Sequence, residues 1–501
     1  MDGINAIELK GVTKRFGSVV ANDDVNLTLK NGEILSILGE NGSGKTTLMN
    51  MLSGIYFPDA GQILMNGKEV IIRSPKDSFS LGIGMIHQHF KLIQILTAAE
   101  NIILGLGGGD GKLQMNEVKK QINELTSKYG FDLDPDQKVY DMSVSQKQTV
   151  EIIKVLYKGA DILILDEPTA VLTPQETEKL FTVLRNMKKH GKSIIIITHK
   201  LNEVLEISDR VTVLRKGKNI GTIETRDASV EKLTEMMVGE KVALNIERNK
   251  PVNVKKRIEV SELNVTNREG IPILKDINFV ANSGEILGIA GISGSGQKEL
   301  LEAVAGLLEY DSGEICFYDE NGTKKSREEE ALSFVPEDRL GMGLIGSMGL
   351  TDNMLLRSYR DKKGFFVDRK TPRKLAKHIV ETLDVVTPGV ETAVSRLSGG
   401  NVQKVLVGRE IAQNPTSLLV AYPVRGLDIN SSYTIYNLLN EEKKKGVAVV
   451  CVIEDLDVLL ELCDRIMVLS GGKITGIEDA RKVTKEKLGM LMTDSRKESY
   501  V

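Results

Sequence analysis

The residues best suited to chemistry are Gly39-Glu40-Asn41-Gly42-Ser43-Gly44-Lys45-Thr46, which match G-x-x-x-x-G-K-[ST] in full. In such a loop the glycines let backbone N–H groups converge on phosphate oxygens at the start of a helix. Lys45 is placed to reach the β- and γ-phosphates, and the Thr46 hydroxyl to hold Mg²⁺. Thr47 follows and completes the expected nucleotide cradle. Further on, Ile162-Leu163-Ile164-Leu165 runs into Asp166 and Glu167. Asp166 suits Mg²⁺ held through water, and Glu167 suits a general base that polarises an attacking water. His199, at the end of Ile194-Ile195-Ile196-Ile197-Thr198, is placed to donate to a γ-phosphate. Together these groups predict hydrolysis of a nucleoside triphosphate.

Such groups need a scaffold. Ile34-Leu35-Ser36-Ile37-Leu38 predicts a strand leading into the loop, and Thr46 to Leu52 a helix leading out of it. The short apolar runs Ile162–Leu165 and Ser193–Thr198 predict strands buried in a parallel sheet. The stretch from about 95 to 160 reads as mainly helical. The expected fold is an α/β core with a helical insertion.

A damaged copy of the loop stands in the second half of the chain, Gly291-Ile292-Ser293-Gly294-Ser295-Gly296-Gln297-Lys298. Asp209-Arg210-Val211 recurs as Asp464-Arg465-Ile466, and Ser143 as Ser398. A constant period of roughly 250 residues means duplication of a whole domain. The expected copies span 1–240 and 257–495. Between them, 241–256 is polar, basic and interrupted by Pro251, and reads as a short linker. In the second copy Gln297 replaces Lys45, Lys298 replaces Thr46, Ala421 and Tyr422 replace Asp166 and Glu167, and Glu454 replaces His199. The preserved glycines at 291–296 still suit phosphate, so hydrolysis is the activity this copy is expected to lack.

The 501 residues suffice for two to four domains, and 41% hydrophobic with 27% charged residues is ordinary for a soluble globular chain. A formal net charge of −3 and the absence of Trp argue against a nucleic-acid partner. Cys316, Cys451 and Cys463 lack metal or disulfide spacing and read as reduced core thiols. No start of the secretory type is visible, and no apolar run is long enough to span a bilayer. Work at a membrane is therefore expected to go through partners.

Leu397-Ser398-Gly399-Gly400-Asn401, with the phosphate loop and the Asp-Glu strand, resembles the signature of ABC-type ATPases, and the resemblance covers nearly the whole chain. It implies two tandem P-loop ABC ATPase domains, each with a RecA-like core, a small antiparallel β part and a helical insertion. It implies ATP and Mg²⁺ as ligands. It makes Phe16 the adenine-stacking aromatic and His199 the switch histidine. Gln88 becomes the glutamine at the metal and the attacking water, in the loop that couples to a membrane partner. In that family one copy's signature caps the nucleotide on the other copy's loop. Ser398, Gly399 and Gly400 would then complete the intact site in a pseudo-dimer of the two copies. The first copy's own signature, Met142-Ser143-Val144-Ser145-Gln146, has lost both glycines. All the losses thus fall on one composite site, which predicts one competent engine.

The short linker and single ruined site fit an importer ATPase better than the soluble translation or DNA-repair classes. Val335-Pro336-Glu337-Asp338-Arg339 and Arg425-Gly426-Leu427-Asp428 look like the fused ATPases of monosaccharide and nucleoside importers. Gly84-Met85-Ile86-His87-Gln88-His89-Phe90 looks like the nucleoside branch, with ribose- or galactose-type sugars as the alternative. Ser145 and Tyr422 depart from that branch's usual residues. The resemblance implies two transmembrane permease subunits, an extracytoplasmic solute-binding protein, and a peripheral place at the cytoplasmic face of the cell membrane.

Overall fold

Continuous apolar runs become the central strands because both of their faces are covered. All five residues of Ile34–Leu38 and all six of Ser193–Thr198 are buried. The computed structural model describes residues 5–87, 90–105, 114–240, 246, 248–251, 254–359 and 367–493. The chain forms two compact units, Met1–Ala243 and Leu244–Val501.

In the first unit a six-stranded sheet has the order Lys218–Glu224, Arg210–Arg215, Ile34–Leu38, Ser193–Thr198, Ile162–Asp166, Ile83–Ile86. The pairs are parallel except the hairpin Arg210–Arg215 with Lys218–Glu224. Strand alternation divides the core. Ile34, Leu163, Leu165, Ile194 and Ile196 face the helices, among them Met115–Tyr129 and Val144–Tyr157 of the expected insertion. Leu35, Ile37, Ile162, Ile164, Ile195 and Ile197 face a second, antiparallel sheet built on Asn5–Phe16 and Val19–Lys30. Leu38 pairs with Thr198, and Asp166 with Ile197. That register brings the phosphate loop, Glu167 and His199 to one carboxyl edge, where open α/β sheets bind ligands.

The second unit repeats this order with Lys473–Asp479, Arg465–Ser470, Ile286–Gly291, Ala448–Val452, Ser417–Ala421 and Leu332–Val335. Its antiparallel sheet begins at Lys256, inside the stretch expected to be a linker. Part of that stretch is docked on the second unit. The Arg248 guanidinium donates to the carbonyls of Leu460 (2.9 Å) and Cys463 (2.5 Å), and Ile246 packs against the core. Among the described residues no helix is long and apolar enough to cross a membrane.

The duplication has left one ion pair in two environments. Lys188 and Asp209 lie 2.5 Å apart with both side chains more than a third exposed. Their counterparts Lys443 and Asp464, 2.7 Å apart, are buried, and the Lys443 ammonium also donates to the Asn249 carbonyl at 2.6 Å. Lys443→Ala strands a buried carboxylate. It is expected to cost about 3 kcal/mol, the low end for breaking a buried pair, because Arg481 remains 3.9 Å away. Lys188→Ala is expected to cost about 0–1 kcal/mol. Urea unfolding of the two variants checks the difference, and equal losses would contradict it.

Candidate active site

The phosphate loop needs glycine at three positions. Gly42 and Gly44 have φ of 79° and 98°, a region that side chains disfavour. A Cβ on Gly44 would stand 2.4 Å from the Ala21 carbonyl oxygen, and one on Gly39 2.3 Å from that of Leu214. The helix Lys45–Leu52 starts directly after Gly44, so its first N–H groups have no acceptor within the helix. Asn22, fully buried in the neighbouring sheet, donates to the Gly44 carbonyl at 3.2 Å and ties the loop down. Sequence reasoning missed it, since an isolated Asn in a strand carries no signal. The Lys45 ammonium is buried and donates to the carbonyls of Gly39 (2.6 Å) and Glu40 (2.9 Å). Burial lowers its pKa, and the charges of Glu167, Asp166 and Glu40 oppose that shift.

The buried oxygens around this loop without a hydrogen-bond partner include Ser43 Oγ and Glu167 Oε2. Orphaned polar atoms of this kind call for a ligand or water. They fit a phosphate chain on the loop and a water beside Glu167. Thr46 is exposed at the helix start, and Thr47 is half-buried behind it.

Asp166 is the last residue of its strand. Burial, reinforced by the charge of Glu167, pushes its carboxyl up to about 6, against the pull of Lys45. A site that destabilises its own carboxylate in this way favours a cation beside it. Glu167 has a φ of 49°, and its N–H donates to the Ile197 carbonyl at 2.9 Å. Left-handed backbone at a non-glycine residue costs on the order of 1–3 kcal/mol and gathers at functional sites. Here it turns the carboxylate toward His199, whose Nδ1 lies 2.8 Å from Glu167 Oε1. That hydrogen bond raises the pKa of His199.

Phe16 is not a core residue: its side chain is 43% exposed and meets Tyr56 edge to face at 5.1 Å. Tyr56 is a second aromatic that the sequence did not single out, because only the fold brings it to Phe16. Gln88 lies outside the described residues.

Ser398 precedes the helix Gly399–Ile411 and makes no side-chain cap on it. Its Oγ instead accepts from Asn401 Nδ2 at 2.8 Å. A Cβ on Gly400 would come within 2.7 Å of Ser431 Oγ and 3.1 Å of Asp428 Oδ2, so packing inside its own unit already demands glycine there. In the first unit Ser143 is committed differently. It forms a capping box with Gln146, accepting from Gln146 N at 3.2 Å while its own N–H donates to Gln146 Oε1 at 2.9 Å. The S-x-x-Q spacing could have revealed this. The hydroxyl of the decayed signature thus serves its own helix.

The second unit keeps the backbone of a catalytic centre without its groups. Gly294 and Gly296 have φ of 86° and 101°, close to those of Gly42 and Gly44. Gln297 is buried and donates to the Ile292 carbonyl at 3.0 Å, and Lys298 faces Glu302 at 3.8 Å. Tyr422 has the φ of Glu167, at 48°, and the matching N–H bond to Val452 at 3.0 Å. Burial, with Glu454 and Glu337 nearby, pushes its hydroxyl up to about 12, too high for a base at neutral pH. Tyr422→Ala is therefore expected to leave ATP turnover within a few-fold of the parent. Steady-state phosphate release checks this, and a loss as large as that from Glu167→Gln would contradict it.

Two α/β units with phosphate loops at the carboxyl edges of their sheets, one carrying the carboxylates and histidine and one stripped of them, define a duplicated nucleotide-binding ATPase. The chain belongs to the ABC transporter family, whose description matches residues 22–170 and 274–423. It is an ATPase of that family. It is 43% identical over 493 residues to the nucleoside import ATP-binding protein NupA of Lactococcus lactis subsp. cremoris, covering 97% of each chain. It is 41% identical to the guanosine import ATP-binding protein NupO of Bacillus subtilis, covering 98% of this chain and 97% of that one. The ribose import ATP-binding protein RbsA 1 of Rubrobacter xylanophilus is 38% identical, with 97% and 98% covered.

Proposed function

We propose that this chain is the ATP-hydrolysing subunit of a nucleoside importer, with one competent site on its first unit. The observation that carries the solute class is full-length similarity to NupA and NupO, both named for nucleoside import.

In this reading the triphosphate lies on Gly39–Thr46. Lys45 exchanges the loop carbonyls it now holds for phosphate oxygens. Glu167, through the oxygen left without a partner, takes a proton from the attacking water. The water oxygen bonds to the γ-phosphorus, the bond from that phosphorus to the β,γ-bridging oxygen breaks, and ADP and phosphate leave. His199 holds the other oxygen of Glu167 and so fixes the direction of the base. Mg²⁺, when bound, neutralises charge on the β- and γ-oxygens. Thr46, Asp166 and Gln88 would hold it. The Ser398-Gly399-Gly400 turn completes this site by pairing of the two internal copies. Phe16, with Tyr56, receives the adenine.

Two permease subunits in the membrane and an external solute-binding protein complete the assembly, which holds the chain peripherally at the cytoplasmic face. Exposed apolar side chains support a permease partner. Among those exposed are, in the first unit, Ile93 and Ile95, shortly after Gln88 in the chain, and in the second unit Leu340, Met342, Ile345 and Met348, shortly after Glu337. Similarity to RbsA 1 favours a second reading, sugar import. Deleting the gene and following uptake of labelled uridine, adenosine, ribose and galactose separates the two. Nucleoside uptake is expected to fall with sugar uptake intact. The reverse pattern would replace nucleoside by sugar, and no change in any of the four would overturn both.

A further inference from the structure

The second unit has not left its catalytic positions empty. Glu337, Tyr422 and Glu454 align in sequence with Gln88, Glu167 and His199, and one side chain joins all three. The Arg425 guanidinium pairs closely with Glu337 Oε1, approaches Glu454 Oε1 at 3.5 Å and lies 5.8 Å from the centre of the Tyr422 ring. Its counterpart in the first unit is Ala170, which can join nothing, and there Glu167 and His199 pair with each other instead.

The network continues to the signature. The Arg425 carbonyl accepts from Arg339 Nη2. The other terminal nitrogen of Arg339 lies 3.3 Å from where a Cβ on Gly399 would stand. From the other side Asp428, three residues after Arg425, accepts from Ser431 N at 2.8 Å and Ser431 Oγ at 2.8 Å. These two side chains form the wall against which Gly400 packs. The segment from Arg425 to Asp428 therefore abuts Gly400 through Asp428 and reaches Gly399 by way of Arg339. Its pairs are too exposed to contribute much stability, since the Arg425 side chain is 57% exposed and solvent screens such pairs. A planar guanidinium with several fixed partners does, however, set geometry in a way that a flexible ammonium cannot.

We propose that Arg425 is a positioning residue for the hydrolytic reaction, which holds the Ser398-Gly399-Gly400 turn in register by tying its supporting loop to Glu337 and Glu454. The decayed centre is thereby a rigid brace from the segment that carries Glu337 to the signature. This rests on the reading that the signature completes the site on the Lys45 loop.

The test is steady-state ATPase kinetics of the purified full-length chain with Arg425→Gln, Glu337→Gln, the double variant and Ser398→Arg. Arg425→Gln is expected to lower kcat about ten- to a hundred-fold, as a small misplacement of a transition-state contact does. KM for ATP should stay the same, because the nucleotide is held by Gly39–Thr46. Adding Glu337→Gln to Arg425→Gln should lower kcat no further, since both remove one link. Arg425→Lys, which keeps the charge but cannot span both carboxylates, should fall between the parent and Arg425→Gln. It also serves as the readable variant if Arg425→Gln fails to fold. Parental kcat in Arg425→Gln, or in Arg425→Lys if that is the readable variant, with Ser398→Arg inactive, overturns the role of Arg425 alone. Parental kcat in Ser398→Arg overturns the reading beneath it. A matched rise in KM, or independent effects of the two Gln substitutions, shows a merely structural contribution and also overturns the proposal.

Discussion

Replacing Glu167 by Gln is expected to lower ATP turnover on the order of 10²–10⁴-fold, the usual contribution of an acid–base group, while ATP still binds. The substitution keeps the volume and the left-handed backbone of the site, and an amide can still meet His199. What it removes is the basicity of the buried oxygen that has no hydrogen-bond partner. The binding loop is untouched, because its conformation depends on Gly39, Gly42, Gly44 and Asn22 and not on Glu167. Phosphate release and filter binding of labelled ATP on the same preparation check both halves of the statement. Near-normal turnover would place the base elsewhere.

Ser398→Arg is expected to be nearly as damaging, although Ser398 lies in the unit that has no catalytic carboxylate. Ser398 and Gly399 are exposed, so a long side chain there need not disturb the packing of its own unit. Its bulk and positive charge fall on the N-terminal end of a helix, which favours anions. If that end faces the γ-phosphate of ATP on the Lys45 loop, turnover should fall on the order of 10²-fold, as when a single transition-state donor is lost. Ser143→Arg removes a helix cap worth about 1 kcal/mol and should change turnover only a few-fold. The reverse ranking of the two variants would rule out the proposed pairing of intact loop with intact signature.

The parts of this site that read clearly in the sequence are those held by neighbours in the chain. The strand Ile34–Leu38, the glycine loop and the helix Lys45–Leu52 form one contiguous unit, and the strand before Asp166 is a plain apolar run. Groups that meet only through the sheet order were not legible. Glu337, Arg425 and Glu454 are far apart in the chain, and the adjacency of the strands Leu332–Val335, Ser417–Ala421 and Ala448–Val452 brings them together. The left-handed backbone at Glu167 and Tyr422 could not be foreseen either, since neither residue prefers it. Phe16 would by default be core, and its exposure follows from its place at the tip of a hairpin beside Val19. The polar stretch around Arg248 reads as a linker by composition, yet its guanidinium meets the carbonyls of Leu460 and Cys463 at the end of the helix Leu456–Leu462, where a cation is favoured.

The central claim, that one engine on the first unit powers import, is tested most directly by uridine uptake in a strain lacking this gene and complemented with the parent chain, Glu167→Gln or Tyr422→Ala. The account predicts uptake with the parent and with Tyr422→Ala, and none above background with Glu167→Gln at equal protein level. Uptake restored by Glu167→Gln, or abolished by Tyr422→Ala alone, would contradict it.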